Sequence, residues 1–469
     1  MPALQPDTPD PFRLHGIRHF TETQGLPEYE GAPPAAIVYE DSKSQSPQTI
    51  CVREGMMLST PAGWLQYQDY KVPLYEEPAE AAGEPIAVFR GEKSYPCVAE
   101  EGDTITFGFD IFNAVGRILS GHLETAECPP EAAEIPFLDI YEEILLSCLI
   151  RCHDKAGVPL VRKAMWPNGA PYAVCLTHDV DEVRKTYQHL TSPPKYAALG
   201  QFSKAFRYVQ NSISDLSSGR DPYWAFEELI RLEDELGVKS SLYFLEETGK
   251  FTLKDLKSFF LTARRYEFTE PKIAAMIRRL DAGGWDVGVH GSYNSYDNPE
   301  MLKAEKAKLE AVLGHPVTGI RQHHLNFKNP ETWRAQEAAG LKYDCTLGFK
   351  DKPGFRWATC NPFTPLDPTT KTPINITAIP TTIMDTPLFY TKKDPAETIG
   401  RIQDTVKRHG GVLTMLWHHA VFNEREFPGW TNNYEMAIRK AQVDGAWITT
   451  GKNIMQWLEN NRNSVLSSR

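Results

Sequence analysis

The stretch Tyr172-Ala173-Val174-Cys175-Leu176-Thr177-His178-Asp179-Val180-Asp181 decides how the rest of the chain is read. Its first half is apolar without alternation, the pattern of a strand covered on both faces, as strands of a parallel sheet are. Two carboxylates one residue apart follow. Three later segments repeat the design. Trp285-Asp286-Val287-Gly288-Val289 leads into His290-Gly291-Ser292-Tyr293-Asn294, Val317 to Ile320 into Arg321-Gln322-His323-His324, and Gly411 to Trp417 into His418-His419. In a parallel barrel the chemistry sits where the strands end. Apolar runs that each finish in acids or imidazoles therefore point to one site on such a rim, able to hold one metal ion and activate one water.

Between these runs the pattern alternates strand and helix, the mark of a wound parallel sheet. Strands are expected at 172–176, 238–244, 286–290, 317–321, 343–347, 374–380, 411–417 and 446–449. Helices are expected at 224–236, 300–313, 332–339 and 453–461, with Gly237 and Gly340 as stops. A Ser/Lys-rich helical stretch, 182–224, reads as an insertion. Seven or eight strands running one way close more easily into a barrel than they stay open.

A chain of 469 residues exceeds one ordinary core, so two domains, or three, are expected. Residues 1–165 read as a smaller α/β accessory domain of unassigned role, and 166–469 as the barrel. In the first part, 35–39 and 86–89 read as short strands and 109–120 and 138–151 as helices; His122 and Glu124 read as surface or helix-end residues. Composition is that of a soluble globular protein, 41% hydrophobic and 24% charged. The net charge of -11 offers no footprint for nucleic acid or an anionic membrane.

The eight cysteines are too thinly spread for a disulfide framework, and Cys148 and Cys152 fall on the apolar face of a helix. Met1 to Asp7 shows neither a basic nor an apolar region, so no signal peptide is expected. No run is long enough to span a bilayer. Cytoplasmic residence is the expectation; the oligomeric state is left open.

Asp179 and Asp181 repel each other if crowded, and a divalent cation relieves that repulsion. One acid can bind the ion while the other accepts a proton from bound water. Their bland role is to cap the next helix. His290 can offer a neutral imidazole to zinc. Arg321, a planar fork, suits the fixing of a carboxylate, though it could equally form a structural ion pair. Of His418 and His419, alternation along the strand sends one into the pocket, and His418 is favoured as the proton donor. Asp385 reads either as a substrate contact or as a turn acid before Thr386-Pro387.

The order of these segments resembles the polysaccharide deacetylase family, the NodB-like carbohydrate esterases, over about 171–461. The family's Thr-Phe-Asp-Asp-Gly is similar to Thr177-His178-Asp179-Val180-Asp181. Its His-(Ser/Thr)-x-x-His is similar to His290-Gly291-Ser292-Tyr293-Asn294, with Asn294 in place of the second histidine. Arg321-Gln322-His323-His324 resembles Arg-x-Pro-Tyr, Tyr343-Asp344-Cys345-Thr346 resembles Tyr-Asp-Ser-Ser, and Leu416-Trp417-His418 resembles the final Leu-x-His.

The resemblance implies a distorted (β/α) barrel in which Asp179 is the base, held by Arg321, and His418 the acid. Asp181, His290 and Asn294 would be the metal ligands, the metal being zinc, with nickel or cobalt as alternatives. An amide oxygen is a weaker zinc ligand than imidazole, so His323, His324 or water could complete the shell instead. His323, His324, Tyr293, Asp385 and Trp417 are the candidate substrate contacts. Tyr296, Trp357 and Trp430 are further aromatic residues for the mouth. The expected activity is metal-dependent hydrolysis of an amide C–N bond, the removal of acetyl from an N-acetylated sugar or glycan precursor. A variant is the opening of a cyclic amide or ureide. The rival reading is a non-catalytic glycan-binding or scaffold pseudoenzyme on the same barrel.

Overall fold

In the computed structural model, Asp10 accepts hydrogen bonds from the backbone N–H groups of Phe12 and Arg13 and so starts the helix Pro11–Thr23. The structure describes residues 10–26, 34–39, 46–186, 188–198, 200, 202–218, 221–247, 266–391 and 393–466. Met1 to Asp7, where no signal peptide is expected, lies outside them. Two sheets follow one another along the chain.

The first sheet is built from β1 (Ala35–Tyr39), β2 (Gln48–Val52), β3 (Gly63–Tyr67), β4 (Tyr70–Leu74), β5 (Glu84–Arg90), β6 (Ser94–Glu101) and β7 (Thr104–Phe107), in the order β1-β2-β7-β6-β5-β3-β4. Pairs β1–β2 and β2–β7 are parallel and the others antiparallel. Pro11–Thr23 crosses the helix Ile111–Ile118 at a contact that admits no side chain. A Cβ on Gly16 would sit 2.1 Å from the Phe112 carbonyl oxygen, and one on Gly116 only 1.9 Å from that of Phe12. The helix Phe137–Lys155 buries Cys148 and Cys152.

The second sheet contains β8 (Ala173–Val180), β9 (Ser241–Phe244), β10 (Asp286–Gly291), β11 (Gly319–Gln322), β12 (Tyr343–Asp344), β13 (Thr377–Ala378), β14 (Ile383–Met384), β15 (Val412–Leu416) and β16 (Trp447–Thr449). Every pair in it is parallel. Eight strands follow the path β13-β12-β11-β10-β9-β8-β15-β14, and β16 joins beside β8. All eight residues of β8 are buried, as its unbroken apolar run requires.

The sheet curls into a distorted (β/α) barrel. Its two ends belong to one extended segment: β13 pairs with β12, β14 pairs with β15, and Thr381 and Thr382 between them donate to the carbonyls of Leu347 and Thr414. The wall is also irregular at β8, whose one edge pairs first with β16 and then with β9. Helices such as Phe226–Leu236, Pro299–Leu313 and Pro395–His409 pack outside and end on Gly237, Gly314 and Gly410 in the left-handed conformation. Two inserted helices, Gln188–Ala198 and Phe202–Ser218, precede Phe226–Leu236. No helix of the described residues is long and apolar enough to cross a membrane.

Candidate functional site

Side chains alternate along an extended chain, so Asp179 and Asp181 leave β8 on one side and His178 on the other. His178 meets Glu233 and Tyr434 on the helices outside the barrel, at 3.0 and 3.2 Å from its Nε2. Asp179 turns to Arg321 on β11, whose Nη1 donates to its Oδ1 at 2.9 Å. That guanidinium is itself fixed: Nε donates to the Cys345 carbonyl at 2.9 Å, Nη2 to the Thr381 hydroxyl at 3.1 Å, and the group lies 4.9 Å above the Tyr243 ring. One oxygen of Asp179 is thus committed. The other, Oδ2, lies 3.6 Å from His290 Nε2.

Asp181 has a different environment. Its Oδ1 lies 3.0 Å from His290 Nε2 and 3.9 Å from His323 Nε2, and its Oδ2 lies 3.6 Å from His418 Nε2. Burial works against ionisation there, but His290, His323 and His418 outweigh it and hold the carboxyl well below the usual range. His290 Nδ1 stands 2.8 Å from the Arg321 carbonyl oxygen, which can only accept. Nδ1 must therefore carry the hydrogen, and in the neutral ring the lone pair is on Nε2, facing Asp181. Two acceptors confront each other at this point unless a proton or a cation lies between them.

The ligand atoms of Asp181, His290 and His323 all lie within 4.8 Å of one another. Bonds of about 2.0–2.1 Å around zinc place tetrahedral donors about 3.3 Å apart, so small side-chain shifts close this set on one ion. Asp181 Oδ1 is buried and accepts no well-directed hydrogen bond. One carboxylate and two imidazoles, with a position left for water, are the donors of catalytic zinc sites. The residues fit a divalent cation.

On the opposite side stands His418. Its Nδ1 is 2.9 Å from Asp385 Oδ1, and its backbone N–H donates to Asp385 Oδ2 at 2.7 Å. Burial disfavours the charged ring, yet Asp385 in first place, then Asp181 and Asp179, raise its pKa to about 10. His419 packs behind: it is 1% exposed, its ring stacks on Phe226 at 4.7 Å, and burial lowers its pKa to about 4. These groups open into a cavity of about 500 Å³. One wall is apolar, with Leu416, Tyr390, Phe427 and Trp430, and Trp430 lies flat on Phe389 at 4.2 Å.

Several expected roles change. Asn294 is exposed and does not line the cavity, because the turn after β10 is held by Ser292 on Glu305 and by Ser295 on the Ser292 carbonyl; His323, not Asn294, groups with Asp181 and His290. Trp417 is fully buried, its indole N–H donating to the Trp430 carbonyl at 3.3 Å, so it cannot touch a substrate. Asp385 is fully buried too and holds His418 rather than substrate. Tyr293 stands behind the imidazoles, its ring edge-on to His324 at 5.9 Å, outside the cavity lining. Trp357 is 1% exposed and bonds Glu124. His323 and His324 do line the cavity, the latter from the left-handed region at φ 56°. Trp430 lines the cavity as expected, whereas the Asp385–His418 pair, Tyr390 and Phe427 of the aromatic wall, and Lys350 on the rim were not read from the sequence. Glu247, 3.8 Å from His323 Nδ1, was missed as well.

No family model and no curated protein matches the chain. Solved structures similar to it include a probable polysaccharide deacetylase from Pseudomonas aeruginosa PAO1, 15% identical, covering 66% of this chain and 97% of that one with a TM-score of 0.42. Puue allantoinase is 16% identical, covers 63% and 93%, and has a TM-score of 0.41. A CE4 family pseudoenzyme from Bacillus anthracis is 9% identical, covers 62% and 66%, and has a TM-score of 0.31.

Proposed function

We propose that the chain is a metal-dependent hydrolase of amide C–N bonds whose substrate is an N-acetylated sugar or glycan precursor. One observation carries this reading: Asp181, His290 and His323 converge within 4.8 Å, with Asp179 locked by Arg321 and His418 locked by Asp385 beside them. The ligand set would hold a divalent cation. When bound, such a cation polarises a carbonyl and lowers the pKa of water.

The side chains divide the remaining work. Arg321 holds Asp179 at Oδ1 and leaves Oδ2 directed at the ligand set, where it takes the proton of the attacking water. His418 carries a proton across the neutral range and presents Nε2 toward Asp181, so it gives that proton to the departing nitrogen. Asp385 fixes the ring so that Nε2 is the donor. The aromatic wall offers flat faces for a sugar ring and excludes water from one side of the cavity.

Acetate release from N-acetylglucosamine and its short oligomers tests the reading, with Asp179→Asn as the decisive variant. Expected are bound metal at the wild-type level and turnover lowered about 10²–10⁴-fold, the usual contribution of a positioned base. Metal retained with no turnover of any amide in the wild type would instead mean a binding protein. Unchanged turnover in Asp179→Asn would remove that residue as the base.

A further inference from the structure

The cavity has a cation that the proposed hydrolysis does not use. Lys350, on the segment between β12 and β13, lines the same space as Asp181 and His418. Among the described residues it forms no ion pair, and the acceptor its ammonium meets is the neutral amide oxygen of Asn326 at 3.3 Å. Three carboxylates line the cavity among the described residues and none pairs with Lys350: Asp179 meets Arg321, Asp181 faces the imidazoles and Glu182 accepts from the Gln188 amide. Lys350 is exposed at the cavity rim, and partial burial, then the charge of Arg356, lowers its pKa; no anion among the described residues offsets its charge.

The segment that carries Lys350 is held by the N-terminal part of the chain. Arg356 donates to the Gly348 carbonyl at 3.4 Å and to Glu124 at 2.7 Å, and the Trp357 indole donates to Glu124 at 2.6 Å. The Phe355 N–H donates to the Ala133 carbonyl at 2.8 Å, and that of Leu138 to the Ala358 carbonyl at 2.9 Å. Gly354 sits at φ 140° with the Ala133 oxygen 2.3 Å from where a Cβ would be, so only glycine fits this approach. The first sheet's side of the molecule thus fixes the rim on which the uncompensated cation stands.

We propose that Lys350 binds an anionic substituent, phosphate or carboxylate, on the saccharide whose acyl amide lies over Asp181, and that Glu124 is a positioning residue for this subsite. The proposal rests on the hydrolase reading for the amide but assigns a separate contact. A cavity of about 500 Å³ takes a small saccharide that reaches both points.

The test is calorimetric binding of N-acetylglucosamine, its 6-phosphate and its 6-carboxylate to the full chain, in the wild type and in Lys350→Met, repeated in an Asp179→Asn background. Expected in the wild type is about tenfold tighter binding of one anionic form than of the neutral sugar, equivalent to about 1.4 kcal/mol. That preference should fall to within about twofold in Lys350→Met, and it should weaken with added salt. Glu124→Gln should weaken the preference while leaving affinity for the neutral sugar in place, and Glu124→Asp should restore part of it, which a general loss of folding would not do. Which anion gains identifies the substituent. Equal binding of all three sugars by the wild type, failure to bind any of them, or a preference that survives Lys350→Met overturns the proposal. A preference that persists in Asp179→Asn while no amide is cleaved by the wild type would sink the hydrolase reading and leave Lys350 standing.

Discussion

Two aspartates of the same barrel, the buried Asp286 at the start of β10 and the partly exposed Asp181 beyond the end of β8, show what separates a structural carboxylate from a chemical one. Asp286 Oδ2 accepts from the Ser241 hydroxyl at 2.7 Å, from the Tyr343 hydroxyl and from the Lys452 N–H at 3.4 Å. Each partner brings its own hydrogen, and burial raises the Asp286 pKa. The group binds β9, β10, β12 and the last helix together and asks for nothing else. Asp181 instead faces nitrogen atoms of three imidazoles, and its contact with His290 Nε2 needs a proton or a cation between the two. The closed end of the barrel is complete in itself; the open end is arranged around a positive charge.

The largest predicted contrast sets these two residues against each other. Asp181→Ala should lose bound zinc, nickel or cobalt, read by elemental analysis, and lower turnover by at least about 10³-fold if the cation supplies several kcal/mol to the reaction. Asp286→Ala should keep its metal and lose about 1–3 kcal/mol of stability in urea unfolding, the cost of leaving buried hydroxyls unpaired. Metal loss in both variants would erase the distinction.

A smaller effect sharpens the account of the open end. His418 must be protonated to act as an acid, so activity is present below its pKa of about 10 and lost as pH rises through it. Burial already lowers that pKa, and Asp385 is the main group raising it. Asp385→Asn removes the opposing charge, and the alkaline limb of the kcat profile should move down toward the ordinary imidazole value of about 6.5. A limb that stays in place would detach His418 from proton donation. The smallest effect belongs to Asn294→Ala, which should change metal content and turnover by less than about twofold, as exposed positions do.

Strand ends were legible in the sequence because burial on both faces leaves long apolar runs, and β8, β10 and β15 fall where those runs are. β12 and β13 lie inside the strands expected at 343–347 and 374–380 but pair over two residues only, and β14, a two-residue pairing in irregular chain, is too short for any periodicity to mark. Much of the first sheet was not legible either. β3, β4 and β6 carry polar or exposed residues on one face, and Pro73 and Pro96 interrupt β4 and β6, so no strand was expected there. The site was half readable. The spacing of Asp179 and Asp181 announces a shared face, whereas the exchange of Asn294 for His323 depends on a 3₁₀ turn at His323–Leu325 with His324 and Leu325 at positive φ. Asp385 read either as a substrate contact or as a turn acid, since its partner His418 follows a different strand, β15.

The most direct measurement is anomalous diffraction at the zinc edge from crystals soaked in zinc chloride. The account predicts one strong peak within bonding distance, about 2.0–2.2 Å, of Asp181, His290 and His323, with Asn294 remote from it. No peak between these side chains, or a peak that includes Asn294 and excludes His323, would contradict it.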